Sequence, residues 1–132
     1  MNRGADLGGK LESYRELKVW QLAMTLAQNC YMQTKGFPRE ELFGLTSQIR
    51  RAAASIAANI AEGYGREQTG SFIQFLRMSQ GSLKELETHL ILAQRVKILP
   101  GTKGDILLGQ CQDLGKMLRA FIRSLQQRTA TR

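Results

Sequence analysis

Apolar residues recur at alternating intervals of three and four positions over most of the chain, the spacing of helices that bury one face. The repeat is clearest in the second half of the sequence. Of four such segments, the third carries Phe72, Leu76, Ser79, Leu83, Leu86, Leu90 and Ala93. The fourth carries Leu107, Cys111, Leu114, Leu118, Phe121 and Leu125. This heptad spacing predicts long helices that pack at a shallow angle. Gly81 interrupts the third segment, and we expect the backbones of two helices to approach closely there.

Capping residues and helix breakers divide the chain into four predicted helices. Ser13 is the expected N-cap of the first helix, and Thr69 or Ser71 that of the third. Gly63, in a Gly-Tyr-Gly sequence, is expected to stop the second helix. The four helices are predicted over about residues 13–35, 45–62, 69–99 and 103–128.

The number and length of these segments predict the fold class. No segment alternates with a period of two, so no strand is expected. Four long helices joined by short loops predict an all-α, antiparallel up-down-up-down four-helix bundle. A chain of 132 residues has no room for a second domain, so residues 13–132 are predicted to form one bundle. Residues 1–12 are glycine-rich and polar, and we expect them to form a flexible tail.

The charge balance narrows the classes of partner. Lys and Arg number 19 against 11 Asp and Glu, which gives a net charge of +8. This excess favours polyanionic partners, such as RNA or DNA. No apolar run reaches the roughly 20 residues that a membrane helix needs, and the N-terminus lacks an apolar leader core. The sequence therefore predicts a cytoplasmic protein without membrane contact.

Residues that could support catalysis or bind a metal are scarce. His89 is the single histidine, and the second Glu/His pair that a di-iron bundle requires is missing. Cys30 and Cys111 lie within apolar stripes, so we expect buried thiols rather than ligands. Phosphate-binding glycine loops and nucleophile motifs are also missing. We therefore expect no enzyme activity, no metal and no cofactor.

A line of polar residues runs along the second predicted helix at intervals of three and four. Its members are Gln48, Arg51, Ser55, Asn59 and Glu62. One interpretation is a binding groove. The favoured interpretation is a hydrogen-bond network between helices or subunits, in which Glu85 or Glu87 of the third helix pairs with Arg50 or Arg51.

The end of the chain concentrates positive charge. From residue 115 onward the sequence has five basic residues and no acidic one. Lys116, Arg119 and Arg123 fall on one helix face, and Arg128 follows near a terminus that we expect to fray. We predict that these four residues contact nucleic-acid phosphates, with little selectivity for base sequence. The alternative is an ordinary solvated face, with cations placed favourably near a helix C-terminus.

Several apolar residues fall outside the heptad positions of the last two helices. They are Ile73, Ile91, Ile106, Met117 and Ile122. A single four-helix bundle does not bury every side of each helix, so this surplus predicts a homo-oligomer. Trp20 and Tyr31 of the first helix are expected to be core or interface residues rather than platforms for base stacking.

Four blocks of sequence have a recognisable pattern. Tyr14-Arg-Glu-Leu-Lys-Val-Trp20 opens the first, Ser55-Ile-Ala-Ala-Asn59-Ile-Ala-Glu62-Gly63 forms another, and two more cover residues 37–52 and 81–90. Together they resemble the 23S ribosomal RNA intervening-sequence protein family, also called four-helix bundle proteins. Ala57 departs from the family pattern, in which proline is frequent at this position.

The resemblance implies a small bacterial bundle that assembles into a homopentamer and has no enzyme activity. The family name refers to insertions in ribosomal RNA genes. A distantly similar bundle is the accessory protein of diversity-generating retroelements, a basic pentamer that partners a reverse transcriptase and nucleic acid. Three hypotheses follow: an oligomer that binds nucleic acid or a nucleic-acid enzyme, a protein–protein scaffold, and, as the weakest, a bundle enzyme that uses Glu62 with Arg50 and Arg51.

Overall fold

The computed structural model describes residues 13–130 and contains four long helices. They are α1 (Lys18–Thr34), α2 (Leu45–Gly65), α3 (Thr69–Arg95) and α4 (Gly101–Ala130). Two short 3₁₀ turns, Tyr14–Glu16 and Arg39–Glu41, precede α1 and α2. This part of the chain contains no strand, which confirms the all-α prediction. The predicted tail, residues 1–12, lies outside the described residues.

Contacts between the helices define an antiparallel bundle. α1 packs against α2 and α4, and α3 packs against the same two helices. In each pair, residues late in one helix contact residues early in the other. Examples are Arg50 with Thr34, Tyr64 with Phe72, Phe72 with Phe121, Gln94 with Asp105, and Asn29 with Gln110. The connections are therefore up-down-up-down, as predicted.

The heptad positions of α3 and α4 form the centre of the core. All seven predicted α3 positions are buried, including the hydroxyl residue Ser79. In α4 the predicted positions are buried up to Leu118 and again at Leu125, but Phe121 is only partly buried and Ile122 is buried instead. The expectation that Ile122 faces a subunit contact is therefore wrong. Leu118 and Leu125 are seven residues apart and both buried, so the departure is confined to one position.

The N-terminal ends of α1 and α3 differ from the predicted ones. The Ser13 hydroxyl does accept a hydrogen bond from the Arg15 amide at 3.1 Å, but it caps a 3₁₀ turn. Leu17 then adopts an extended conformation, and α1 begins after it. The prediction of a Thr69 or Ser71 cap is wrong, because Gln68 occupies the N-cap position of α3 and forms no side-chain cap.

The glycines of α2 and α3 have the opposite roles to those predicted. α2 continues through Gly63 to Gly65, so Gly63 does not stop it. Gly63 is buried, and a Cβ atom there would lie 2.6 Å from the Cβ of Phe75 in α3. Gly81 is exposed, with open space where its side chain would be. The close approach of α2 and α3 is therefore at Gly63, and the expectation for Gly81 is wrong.

Candidate nucleic-acid interface

Lys116, Arg119 and Arg123, which we call the basic face, lie along one side of α4. All three side chains are exposed, and none forms an ion pair with another residue of the described range. Asp113 is also exposed and lies one turn before Lys116. At 1.5 Å per residue the basic face is about 10 Å long. A nucleic-acid strand presents about three phosphates over that length, at about 3.4 Å of axis each.

Arg128 does not extend the basic face. It lies inside α4, which runs on to Ala130, and its side chain is half-buried. Arg128 is therefore helical in the structure, at a position where we expected the terminus to fray. Successive helical residues turn by about 100°, so residue 128 points well away from the direction shared by the three exposed cations.

Lys84 of α3, which was not among the predicted site residues, lies beside the basic face. Lys84 lines a cleft of about 130 Å³ between α3 and α4, together with Lys116, Arg119 and other residues. The Lys84 ammonium pairs with the Glu87 carboxylate at 3.0 Å. The only sequence signal for Lys84 is its position next to the buried Leu83. That position places Lys84 at the edge of the buried face of α3, but it does not indicate which neighbouring helix the side chain faces.

Two residues of the predicted polar line connect inside the bundle. The Ser55 and Ser82 hydroxyls lie 2.9 Å apart across the α2–α3 contact. The Asn59 side-chain amide donates to the Ser55 carbonyl at 2.9 Å and to its hydroxyl at 3.1 Å. Both Ser55 and Asn59 are half-buried. This part of the line is a hydrogen-bond network within one chain.

The remaining members of the polar line are exposed and separate. Gln48 and Arg51 lie on the surface, as does Glu85 of α3, and Glu62 pairs with Arg66, the residue that follows α2. The structure therefore brings only part of the line together.

Within one described chain, neither Arg50 nor Arg51 forms the predicted pair with Glu85 or Glu87. The Arg50 guanidinium donates to the Thr34 hydroxyl at 2.8 Å and lies 4.7 Å from the centre of the Tyr31 ring. Both partners belong to α1, which flanks α2 on the side away from α3. Glu87 is paired with Lys84 instead. Because Glu62 lies about 18 Å along α2 from Arg50, the arrangement required by the enzyme hypothesis is not formed.

An open apolar groove of about 520 Å³ lies between α1 and α2. Trp20, Met24 and Tyr31 form one wall and four alanines of α2 line the other: Ala54, Ala57, Ala58 and Ala61. Met24 and Tyr31 are each 44% exposed. Among the predicted surplus residues, Ile91 and Ile106 are exposed, whereas Ile73 and Met117 are half-buried against the core.

Cys30 and Cys111 are buried free thiols, as predicted. Burial raises the pKa of each thiol to about 12, so both are protonated at neutral pH. Over residues 13–130, no three His, Cys, Asp or Glu side chains form a group that could hold a metal ion. In the same range, no helix has the length and hydropathy needed to cross a membrane.

Comparison with known proteins identifies a family and a similar fold that cover most of the bundle. The family model described as 23S rRNA-intervening sequence protein matches residues 15–120. A similar solved structure is a protein of unknown function from the S23 ribosomal protein family of Bacteroides thetaiotaomicron. It is 22% identical, with a TM-score of 0.71, and the match covers 79% of this chain and 97% of that one. A search of curated proteins finds no match.

Proposed function

The chain belongs to the 23S rRNA-intervening sequence protein family, and we propose that it is a non-enzymatic, self-associating bundle that binds nucleic acid through the basic face of α4. One observation carries this proposal. The basic face presents three exposed cations on one side of a single helix, without an acidic partner among the described residues. Long cationic side chains at this spacing suit phosphate contacts.

Residue type and arrangement also define the kind of binding. Phosphate contacts fix the position of a strand without reading its bases, so little sequence selectivity is expected. The affinity should depend strongly on salt, because each neutralised phosphate releases condensed counterions. RNA and DNA are both suitable ligands for such a surface, and a nucleic-acid enzyme that carries either is a suitable partner.

The test is a salt titration of oligonucleotide binding, followed by fluorescence anisotropy. The variant Lys116→Gln/Arg119→Gln/Arg123→Gln keeps long side chains with good helix propensity, so the bundle should fold. We expect weaker binding and a flatter logarithmic salt slope, by about 0.7 to 0.9 for each phosphate contact that is lost.

A control variant separates the basic face from net charge. Lys18→Gln/Lys35→Gln/Lys103→Gln removes the same charge from exposed positions elsewhere on the bundle. It should bind with nearly the wild-type slope. Equal losses of affinity and of salt slope in the two variants would place the nucleic-acid surface elsewhere. If the wild type does not bind oligonucleotides at low salt, the proposal is refuted.

Self-association is the second part of the proposal, and the α1–α2 groove supports it. Exposed aromatic and methionine side chains beside a flat alanine surface form an apolar patch of the kind that a second subunit covers. A closed ring would also repeat the basic face in every subunit and strengthen its field.

Light scattering should report a mass near that of five 14.8 kDa chains. Ala58→Glu, in the groove, should lower the assembly state, whereas Gln127→Glu on exposed α4 surface should not. A wild-type monomer at micromolar concentration would contradict this part of the proposal.

The same groove favours a second candidate function, a scaffold whose partner is another protein. In that case the positive charge would serve solubility. Recovery of a protein partner after nuclease treatment, together with the absence of salt-dependent binding to RNA and DNA, would favour the scaffold.

A further inference from the structure

The cleft between α3 and α4 brings cations from two helices around one small space. Lys84 contributes from α3, and Lys116 and Arg119 contribute from α4. The charges at the cleft are three cations against the single carboxylate of Glu87, which is already paired with Lys84 at 3.0 Å. Lys116 and Arg119 form no ion pair with any other described residue. The cleft is therefore electropositive and has unused donors on one side.

The size of the cleft limits what can enter it. A volume of about 130 Å³ corresponds to about four water molecules, at their liquid volume of about 30 Å³ each. A phosphate group, with five non-hydrogen atoms, fits this space, whereas a nucleoside is too large. The floor is formed in part by the buried Cys111 thiol and by Gly115.

Gly115 keeps the cleft open. A Cβ atom at this position would lie 3.4 Å from Leu83 Cδ2, an ordinary packing distance, so a side chain is sterically allowed where it leaves the backbone. Glycine inside a helix costs about 1 kcal/mol relative to alanine. Because Gly115 is one of the residues that line the cleft, we expect a long side chain at this position to occupy part of its space.

We propose that this cleft is a binding site for one backbone phosphate of a nucleic-acid strand, held by Lys116 and Arg119 and joined by Lys84. Lys84, whose side chain is 73% exposed, would share its ammonium between Glu87 and the phosphate, because the ammonium has three N–H donors and Glu87 occupies one of them. Arg123, one turn beyond Arg119, then contacts a following phosphate. This inference rests on the proposed function and names the point at which the strand is anchored.

The first test fills the cleft without changing any charge. Gly115→Met should weaken binding of a fluorescein-labelled single-stranded oligonucleotide about tenfold, equivalent to about 1.4 kcal/mol. Its salt slope should be flatter by about 0.7 to 0.9, because one phosphate is excluded. The matched control is Gly109→Met, at a glycine of the same helix that has open space around it. It should bind like the wild type.

The second test does not depend on the folding of the Gly115 variant. Lys84→Gln alters an exposed side chain of α3 and should weaken binding and flatten the salt slope, by at most the value of about 0.7 to 0.9 for the whole phosphate contact, although Lys84 is not part of the basic face. Lys103→Gln removes the same charge from the start of α4 and should leave the slope unchanged. Circular dichroism confirms that each variant is folded.

The outcomes distinguish this site from the proposed function. Suppose that Gly115→Met and Lys84→Gln both bind with wild-type affinity and salt slope, while the basic-face triple variant binds weakly. That result would refute the cleft as a phosphate site and leave the proposed function intact. No binding by the wild type would overturn both. Displacement of the oligonucleotide by micromolar inorganic phosphate at constant ionic strength would indicate a site for the free anion and overturn the assignment to a strand.

Discussion

Gly63 gives the sharpest test of how α2 and α3 are packed. In Gly63→Ala the new Cβ atom would lie 2.6 Å from Phe75 Cβ and 3.0 Å from Phe72 Cδ1. Carbon atoms in contact are ordinarily about 3.5 to 4.0 Å apart. The Cβ of Phe75 is fixed to its own backbone, so no rotamer change removes the first contact. The two helices must therefore move apart by several tenths of an ångström or more.

The expected magnitude combines two opposing effects. Overpacking a close contact costs about 1 to 3 kcal/mol, whereas replacing a helical glycine with alanine contributes up to about 1 kcal/mol of stability. Gly65→Ala, in the same final turn of α2, experiences the second effect alone, because nothing lies within 4 Å of its Cβ position. The difference between the two variants therefore isolates the steric cost, about 2 kcal/mol.

Thermal unfolding followed by circular dichroism measures this difference. For a domain of this size, 1 kcal/mol corresponds to about 4 °C in Tm, so Gly63→Ala should unfold about 8 °C below Gly65→Ala. Urea unfolding at equal protein concentration should give the same order of stabilities. Equal Tm values for the two variants would show that α2 and α3 do not approach closely at Gly63.

Three further predictions concern the core and α3. Burial raises the pKa of Cys30 and Cys111 to about 12, whereas an unfolded thiol ionises near about 8.5. As the pH rises between those values the unfolded chain loses protons first, so the free energy of unfolding should fall by up to about 1.4 kcal/mol per pH unit for each thiol. Urea unfolding at several pH values should show this fall, and a double Cys→Ala variant should lack that part of it. Ser79→Ala should destabilise the bundle by about 1 kcal/mol in urea unfolding, because the buried hydroxyl donates to an α2 carbonyl at 2.9 Å; an unchanged midpoint would contradict this. Gly81→Ala, in open space on α3, should raise Tm by up to about 4 °C, and a lower Tm would indicate a contact at this position.

Most of the fold could be predicted from the sequence because its signals are local. The alternation of three and four residues gives the buried line of α3 and most of that of α4, and Cys30 and Cys111 were correctly assigned to the core. Helix ends were less predictable. A glycine that stops a helix and a glycine that allows close packing look alike in sequence, so Gly63 was given the wrong role.

The candidate site depends on relations between helices. Periodicity in sequence places Lys116, Arg119 and Arg123 on one face of α4, but it does not fix how far α3 is shifted along α4 or how each helix is rotated about its own axis. Those two quantities decide that Lys84 joins the α4 cations at a cleft and that Arg50 faces α1 rather than an acidic residue of α3. The sequence alone therefore determined the helices and their buried faces, because burial follows helical periodicity. Only the packing of one helix on another determined which polar side chains meet.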